Sequence, residues 1–86
     1  MTQLSLIYFA WVREAVGRDS EQISLPREDM RVADVIAMLA AQGGGYAEAF
    51  AQPDRLRAAL DQQFVPMETL IGKGRELALF PPVTGG

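Results

Sequence analysis

The chain has 86 residues and a mass of 9.4 kDa, which is room for one small domain. It contains neither Cys nor His, which excludes disulfides, Cys/His zinc sites and Ser-His-Asp or Cys-His catalytic arrangements. Eight basic against eleven acidic residues give a formal net charge of -3, the wrong sign for a protein that binds nucleic acid by neutralising phosphates.

The N-terminal half begins with a strand pattern. Residues 4–10 are nearly all apolar on both faces, with Ser5 as the exception, which predicts a strand buried in the middle of a sheet. Residues 11–16 predict a short helical turn that Gly17 ends in the left-handed conformation. Residues 20–25 alternate apolar and polar and stop at Pro26, so we expect a second strand that pairs with the first.

The strongest helical periodicity lies between residues 29 and 42. Its apolar positions fall at i, i+3, i+4 and i+7 and comprise Val32, Val35, Ile36 and Leu39. Asp29 is the predicted N-cap and residues 43–45, three glycines, the predicted stop. This segment is therefore the main helix.

The pattern is ambiguous between residues 43 and 65. Residues 46–51 suit another short helical turn. Residues 56–60 have helix-forming composition, yet they lead into Phe64-Val65 in the manner of a hairpin, and both interpretations stay open. Beyond a turn that holds the single lysine, Lys73, residues 76–80 alternate as a final strand.

The last seven residues, Phe80-Pro81-Pro82-Val83-Thr84-Gly85-Gly86, differ in character from the rest. The double proline lacks N–H donors and favours an extended conformation, so the final strand is expected to end at Phe80. Two glycines are slim enough for the backbone to enter a narrow cleft of another protein. We expect a tail that presents its carboxylate to a partner; the competing interpretation is a frayed end.

A carboxylate is a poor electrophile at neutral pH and reacts only after activation, for example as an acyl-adenylate. The chain lacks a glycine-rich phosphate-binding loop of the P-loop kind, so another protein would have to activate it. The N-terminus lacks the charged region of a signal peptide, and no apolar run approaches the roughly 20 residues of a membrane span. A domain without cysteine suits the reducing cytoplasm, so we expect a cytoplasmic protein that binds neither membrane nor nucleic acid.

Two segments resemble the family of molybdopterin synthase small subunits. They are Tyr8-Phe9-Ala10-Trp11-Val12-Arg13-Glu14, followed by Gly17, and Leu79 with the seven residues of the tail. A bare Gly-Gly ending is shared with other ubiquitin-like proteins, whereas Phe-Pro-Pro-Val-Thr-Gly-Gly is more specific. The resemblance implies an α+β, ubiquitin-like β-grasp fold, with a mixed sheet on one main helix in residues 1–80 and an extended tail in residues 81–86.

The resemblance also implies a function as the sulfur carrier of molybdenum-cofactor biosynthesis. In that family a ubiquitin-activating-like enzyme uses ATP to adenylate the last glycine, and a sulfur donor converts it to a thiocarboxylate. The sulfur then passes to cyclic pyranopterin monophosphate within a heterotetramer, whose large subunit supplies the catalytic side chains. The carrier itself binds no cofactor and no metal. The resemblance therefore implies that this chain carries the sulfur as one subunit of a sulfurtransferase.

By the same resemblance, Gly86 is the residue that becomes a glycyl adenylate and then 1-thioglycine. The residues that enter the partner are Pro81, Pro82, Val83, Thr84 and Gly85. Phe80, Phe9 and Arg13 match partner-binding positions; the competing interpretations are a core aromatic for Phe9 and a solvated helix charge for Arg13. Three alternatives remain: a protein modifier of the ubiquitin type, a thiamine-pathway sulfur carrier, and an interaction module with an inert tail.

Overall fold

A computed structural model describes residues 2–82 of the chain, and Met1 and residues 83–86 lie outside it. The elements predicted outside the ambiguous residues 56–65 are present in the predicted order. In chain order the elements are β1 (Thr2–Tyr8), α1 (Ala10–Val16), β2 (Ser20–Leu25), α2 (Val32–Ala40), α3 (Gly44–Ala49), a 3-10 turn (Pro53–Arg55), β3 (Arg57–Leu60), β4 (Gln63–Val65) and β5 (Glu76–Phe80).

The five strands form one mixed sheet in the order β2-β1-β5-β3-β4. β1 pairs with β2 in an antiparallel and with β5 in a parallel arrangement, and β3 lies antiparallel to both β5 and β4. A sheet with two parallel central strands, flanked by antiparallel strands and packed on one main helix, is the β-grasp arrangement, so the predicted α+β class is confirmed. No helix within residues 2–82 is long and apolar enough to cross a membrane.

The sheet has one covered face and one open face. On the covered face, Leu4, Leu6 and Tyr8 of β1 are buried and share a single core with residues of all three helices. The opposite side chains of the same strand, such as Gln3 and Ser5, are exposed or half-buried. The prediction that β1 is buried on both faces is therefore wrong. We call the two sides the core face and the open face.

The main helix begins later than predicted, and Asp29 is not its N-cap. Arg31 occupies that position, and its backbone N–H donates to the Asp34 carboxylate at 2.9 Å. The N–H groups of Val32 and Ala33, the first two residues of the helix, donate to backbone carbonyls of residues 69 and 67, each at 2.9 Å. The backbone of a distant loop thus satisfies donors that a capping side chain would otherwise take.

The ambiguous segment at residues 56–60 forms a strand. β3 lies between β5 and β4, and its hydrogen bonds to both neighbours outweigh the helix-forming composition of the segment. The two residues of the following turn, Asp61 and Gln62, have φ angles of 50° and 71°. The Asp61 carboxylate accepts hydrogen bonds from the N–H groups of Arg75 and Glu76 at 2.9 and 3.1 Å, which connects this turn to the start of β5.

The three glycines do not simply end α2. The helix ends before them, Gly43 turns the chain with φ 79°, and Gly44 and Gly45 open α3. The additional helix predicted at residues 46–51 is therefore present, although it starts earlier. A Cβ atom added to Gly45 would overlap the carbonyl oxygen of Ala15, so glycine is needed for α3 to approach α1 this closely.

Candidate functional site

Three phenylalanine rings meet on the open face, and we call Phe9, Phe64 and Phe80 the aromatic patch. The Phe80 ring is central. Its centroid lies 6.5 Å from that of Phe9 in an edge-on arrangement and 5.6 Å from that of Phe64 in a tilted one. Phe64 is 81% exposed and Phe9 is 47% exposed, whereas Phe80 is half-buried between them. Large exposed rings that are grouped together are typical of a protein-binding surface.

Strand register brings these rings together. β1 and β5 are parallel, so Phe9, just past the end of β1, lies beside Phe80 at the end of β5, and the Phe9 N–H donates to the Leu79 carbonyl at 3.3 Å. On the other side, Phe64 pairs with Ala59 in the β3–β4 hairpin and so faces the same way. Ala10 then turns the chain away with φ 53°, which allows α1 to begin directly after Phe9.

A shallow groove of about 400 Å³ runs beside the patch. Its lining is mainly apolar and consists of Arg57, Ala58, Phe64, Val65, Pro66 and Phe80. Arg57 is the charged residue of this lining, and it lies directly opposite Phe80 in the strand register. The surface therefore combines an apolar groove with one cation.

The chain leaves the sheet at the aromatic patch. β5 ends at Phe80 as predicted, Pro81 is half-buried and Pro82 is exposed. The predicted reacting residue Gly86 and the tail residues Gly85, Thr84 and Val83 lie outside the described residues. The patch is thus adjacent to the first residues of the predicted tail, so a protein that covers the patch also meets the tail.

The other two predicted partner-binding residues lie near this end of the sheet. Phe9 is part of the aromatic patch and is not the core aromatic of the competing interpretation. Arg13 is exposed on α1, one helical turn after Phe9, and its guanidinium lies 3.7 Å from the exposed carboxylate of Asp19. Such a pair contributes little to stability. The contact matches the expected solvated charge, and a role for Arg13 in partner binding stays a prediction.

Sequence reasoning missed Phe64 as a site residue. The available signal was the hairpin pattern itself, because a two-residue turn at Asp61 and Gln62 places Phe64 opposite Ala59. Ala58 belongs to the hydrophobic core and Ala59, next to it, points to the opposite side of β3, which assigns Phe64 to the open face. The sequence alone did not determine the position of the turn, so it did not determine on which face of the sheet Phe64 lies.

The core face carries a polar cluster of different character. The hydroxyls of Tyr8 and Tyr46 both donate to the same carboxylate oxygen of Glu21, at 2.7 and 2.6 Å, and Arg18 donates to the other oxygen at 3.3 Å. Burial, reinforced by the Glu21 carboxylate, raises the pKa of both tyrosines above the ordinary value. The cluster connects β1, β2 and α3 and is a structural feature.

Within the part of the chain that the structure describes, no three His, Cys, Asp or Glu side chains are grouped so as to hold a metal ion. The features available for binding near the aromatic patch are therefore its apolar surface, the Arg57 cation and the point where the chain leaves the sheet.

Comparisons with known proteins place the chain in a family. The model of the ThiS family matches residues 6–86, so the chain belongs to the ThiS family. The molybdopterin synthase sulfur carrier subunit of Haemophilus influenzae is 34% identical over 83 residues, which cover 96% of this chain and 99% of that protein. The subunit of the same name from Escherichia coli is 34% identical over 84 residues, with the same coverage.

A solved structure agrees with these relatives. Molybdopterin converting factor subunit 1 of Pyrococcus furiosus superposes with a TM-score of 0.76 at 26% identity, and the match covers 96% of this chain and 100% of that one. The resemblance and the β-grasp fold that it implies are both confirmed, whereas the extended tail of residues 81–86 stays a prediction.

Proposed function

We propose that this chain is the sulfur-carrier subunit of a molybdopterin synthase. The observation that carries the proposal is the 34% identity, over 96% of the chain, to relatives named as that subunit. The aromatic patch beside the exit of the chain supports it, because a carrier has to be held by a partner while its tail reacts. In this proposal the partner that supplies catalytic side chains is the large subunit, and the assembly is a heterotetramer.

The reacting group in the proposal is the carboxylate of Gly86. An adenylating partner binds ATP, and the carboxylate attacks the α-phosphorus with loss of pyrophosphate. Hydrosulfide supplied by a sulfur donor then attacks the acyl carbon, the bond from that carbon to the phosphate oxygen breaks, AMP leaves, and the product is a thiocarboxylate. Its sulfur is finally transferred to cyclic pyranopterin monophosphate in the large subunit. The chain needs no bound cofactor of its own for these steps.

In these reaction steps, the aromatic patch and the residues that follow β5 have a positioning role. Pro81 and Pro82 restrict the backbone directly after β5, so the chain leaves the sheet in an extended direction. Gly85 has no side chain and allows the backbone to lie close to the reacting groups of a partner. The aromatic patch supplies the apolar contact area that holds the carrier, with Phe80 at its centre.

Intact-mass measurement tests the proposal. The purified chain is incubated with its cognate adenylating enzyme, ATP and a sulfur donor, and the mass is expected to rise by the difference between one sulfur and one oxygen atom. A chain that lacks Gly86 and a reaction without ATP are the controls and are expected to show no increase. A full chain that gains no mass with an active enzyme would contradict the proposal.

A deletion strain separates the proposal from the thiamine-pathway alternative. Loss of molybdoenzyme activity with growth independent of thiamine is expected. A thiamine requirement with intact molybdoenzyme activity would assign the chain to the other pathway.

A further inference from the structure

Arg57 places a positive charge within the apolar contact surface. Its side chain is exposed, its Cα lies opposite that of Phe80, and it lines the groove together with Phe64 and Pro66. The other charged strand residue on the open face is Glu76, which is four residues, or about 13 Å, away from Phe80 along β5. Arg57 is thus the charge that a protein covering the aromatic patch would meet.

The guanidinium is held in place but has no anionic partner among residues 2–82. Its Nη1 atom donates to the backbone carbonyl of Leu56 at 2.9 Å and, at 3.4 Å, to that of Asp54. The ion pairs in that part of the chain involve Arg13, Arg18 and Arg27 instead. A guanidinium has five N–H donors, so most of its hydrogen-bonding capacity remains for a ligand. The backbone contacts orient the cation without neutralising it.

Covering this surface would remove water from the guanidinium. A buried charge without a partner costs several kcal/mol, whereas a carboxylate in bidentate contact offsets that cost. Because apolar rings adjoin Arg57, a partner cannot cover the rings and leave the cation fully hydrated. The surface therefore favours a partner that presents an Asp or Glu beside its apolar contact residues.

We propose that Arg57 is a specificity-determining residue that pairs with a carboxylate of the partner protein bound at the aromatic patch. The proposal rests on the proposed function for the choice of partner, the large synthase subunit. Arg57 gives this part of the surface a positive charge, although the chain as a whole has a formal net charge of -3. An acidic partner side chain is selected at this point even if the rest of the interface is basic.

Affinity measurements with two variants that each lose one positive charge test whether binding depends on the position of that charge. R57Q and R55Q remove one positive charge each from neighbouring positions, and Arg55 lies outside the groove. We expect R57Q to bind the large subunit about tenfold more weakly or worse, and R55Q to stay within about twofold of the unchanged chain. Unfolding curves of both variants verify that they are folded. Equal affinities for R57Q and R55Q would overturn the proposal.

Zero-length cross-linking tests the carboxylate directly. Since Lys73 is the single lysine, the double variant R57K and K73R has its lysine at position 57, and the double variant R55K and K73R is the matched control. Treatment of the complex with a carbodiimide is expected to form an amide, with loss of one water, between residue 57 and an Asp or Glu of the partner. The control is expected to form none from residue 55.

Each other outcome has a definite meaning. Coupling of residue 57 only to the carboxylate of Gly86 in the same chain would overturn the proposal, because Arg57 would then bind the tail of its own chain. A complex that forms without any coupling at residue 57 would also overturn it. If the unchanged chain forms no complex with the large subunit, the proposed function fails first, which is distinguishable from a failure at Arg57.

Discussion

The two faces of the sheet differ in what their residues contact. The core face is formed by fully buried aliphatic side chains such as Leu6 and Leu77, which pack against three helices. The open face carries mainly polar residues over β2 and β1, with Ile7 as an apolar exception, and three grouped phenylalanines at one end. Stability is therefore concentrated on the core face, and in the proposed function the partner binds the open face, so substitutions on the two sides should have separable effects.

The largest expected effect comes from the core face. Leu6 is fully buried in the centre of β1, so Leu6→Ala is expected to lower the free energy of unfolding by about 2–5 kcal/mol. Urea unfolding followed by circular dichroism measures it. Gln3→Ala, on the open face of the same strand, is the control and should change stability by less than about 0.5 kcal/mol. Similar losses for the two variants would contradict the division between the faces.

The next largest effect is expected on the open face, in binding. Phe64 is 81% exposed, so Phe64→Ala removes little buried area within the chain and should leave stability nearly unchanged. Its loss is expected to weaken binding to the large subunit by about 2 kcal/mol, as for an interface anchor. Titration calorimetry provides the measurement, with Gln22→Ala at the far edge of the open face as the control. Unchanged affinity would remove Phe64 from the interface.

Much of the core face was predictable from the sequence, because local periodicity determines it. The spacing of Val32, Val35, Ile36 and Leu39 identifies the main helix and its buried side, and all four residues are buried. The N-cap was not predictable in the same way. Its place depends on hydrogen bonds from the first turn to the carbonyls of residues 67 and 69, which are far away in sequence.

The candidate site was predictable in part. Phe80 and Phe9 follow from the resemblance of the two segments that contain them, and the structure places them side by side. Phe64 was missed because its face depends on the position of a turn formed by Asp61 and Gln62. Neither residue is a glycine, although both adopt the left-handed conformation that glycine favours. The composition of residues 56–60 favours a helix, but this segment pairs with a strand on each side and forms β3 instead.

A pH effect is expected on the core face alone. Burial and the Glu21 carboxylate raise the pKa of Tyr8 and Tyr46 in the folded state. The folded chain therefore keeps protons that the unfolded chain loses above pH of about 10, and stability should fall as pH rises from there, by up to about 1.4 kcal/mol per pH unit for the buried Tyr8 and by less for the half-buried Tyr46. Urea unfolding at several pH values between about 9 and 11, on either side of the ordinary tyrosine pKa of about 10, measures the slope. Tyr8→Phe should reduce it; an unchanged slope would contradict this origin.

The smallest expected effect concerns the turn that orients Phe64. Gln62 has φ 71°, a conformation that costs a residue with a side chain about 1–2 kcal/mol and glycine almost nothing. Gln62→Gly is therefore expected to raise the free energy of unfolding by about 0.5–1 kcal/mol, because the relief of strain exceeds the additional entropy of the unfolded chain. Urea unfolding measures the gain, and Gln63→Gly, within β4, is the control that should destabilise.

This last variant also tests how the open face is built. Gln62→Gly keeps the two-residue turn, so Phe64 should stay opposite Ala59 and affinity for the large subunit should be unchanged. A variant with one extra glycine after Gln62 shifts the side chains of β4 by one position and should turn Phe64 away from the patch. Weaker binding of the insertion variant together with unchanged binding of Gln62→Gly would show that register, more than the ring alone, defines the aromatic patch. Equal binding of both would contradict that view, because the patch would then not depend on which face β4 presents.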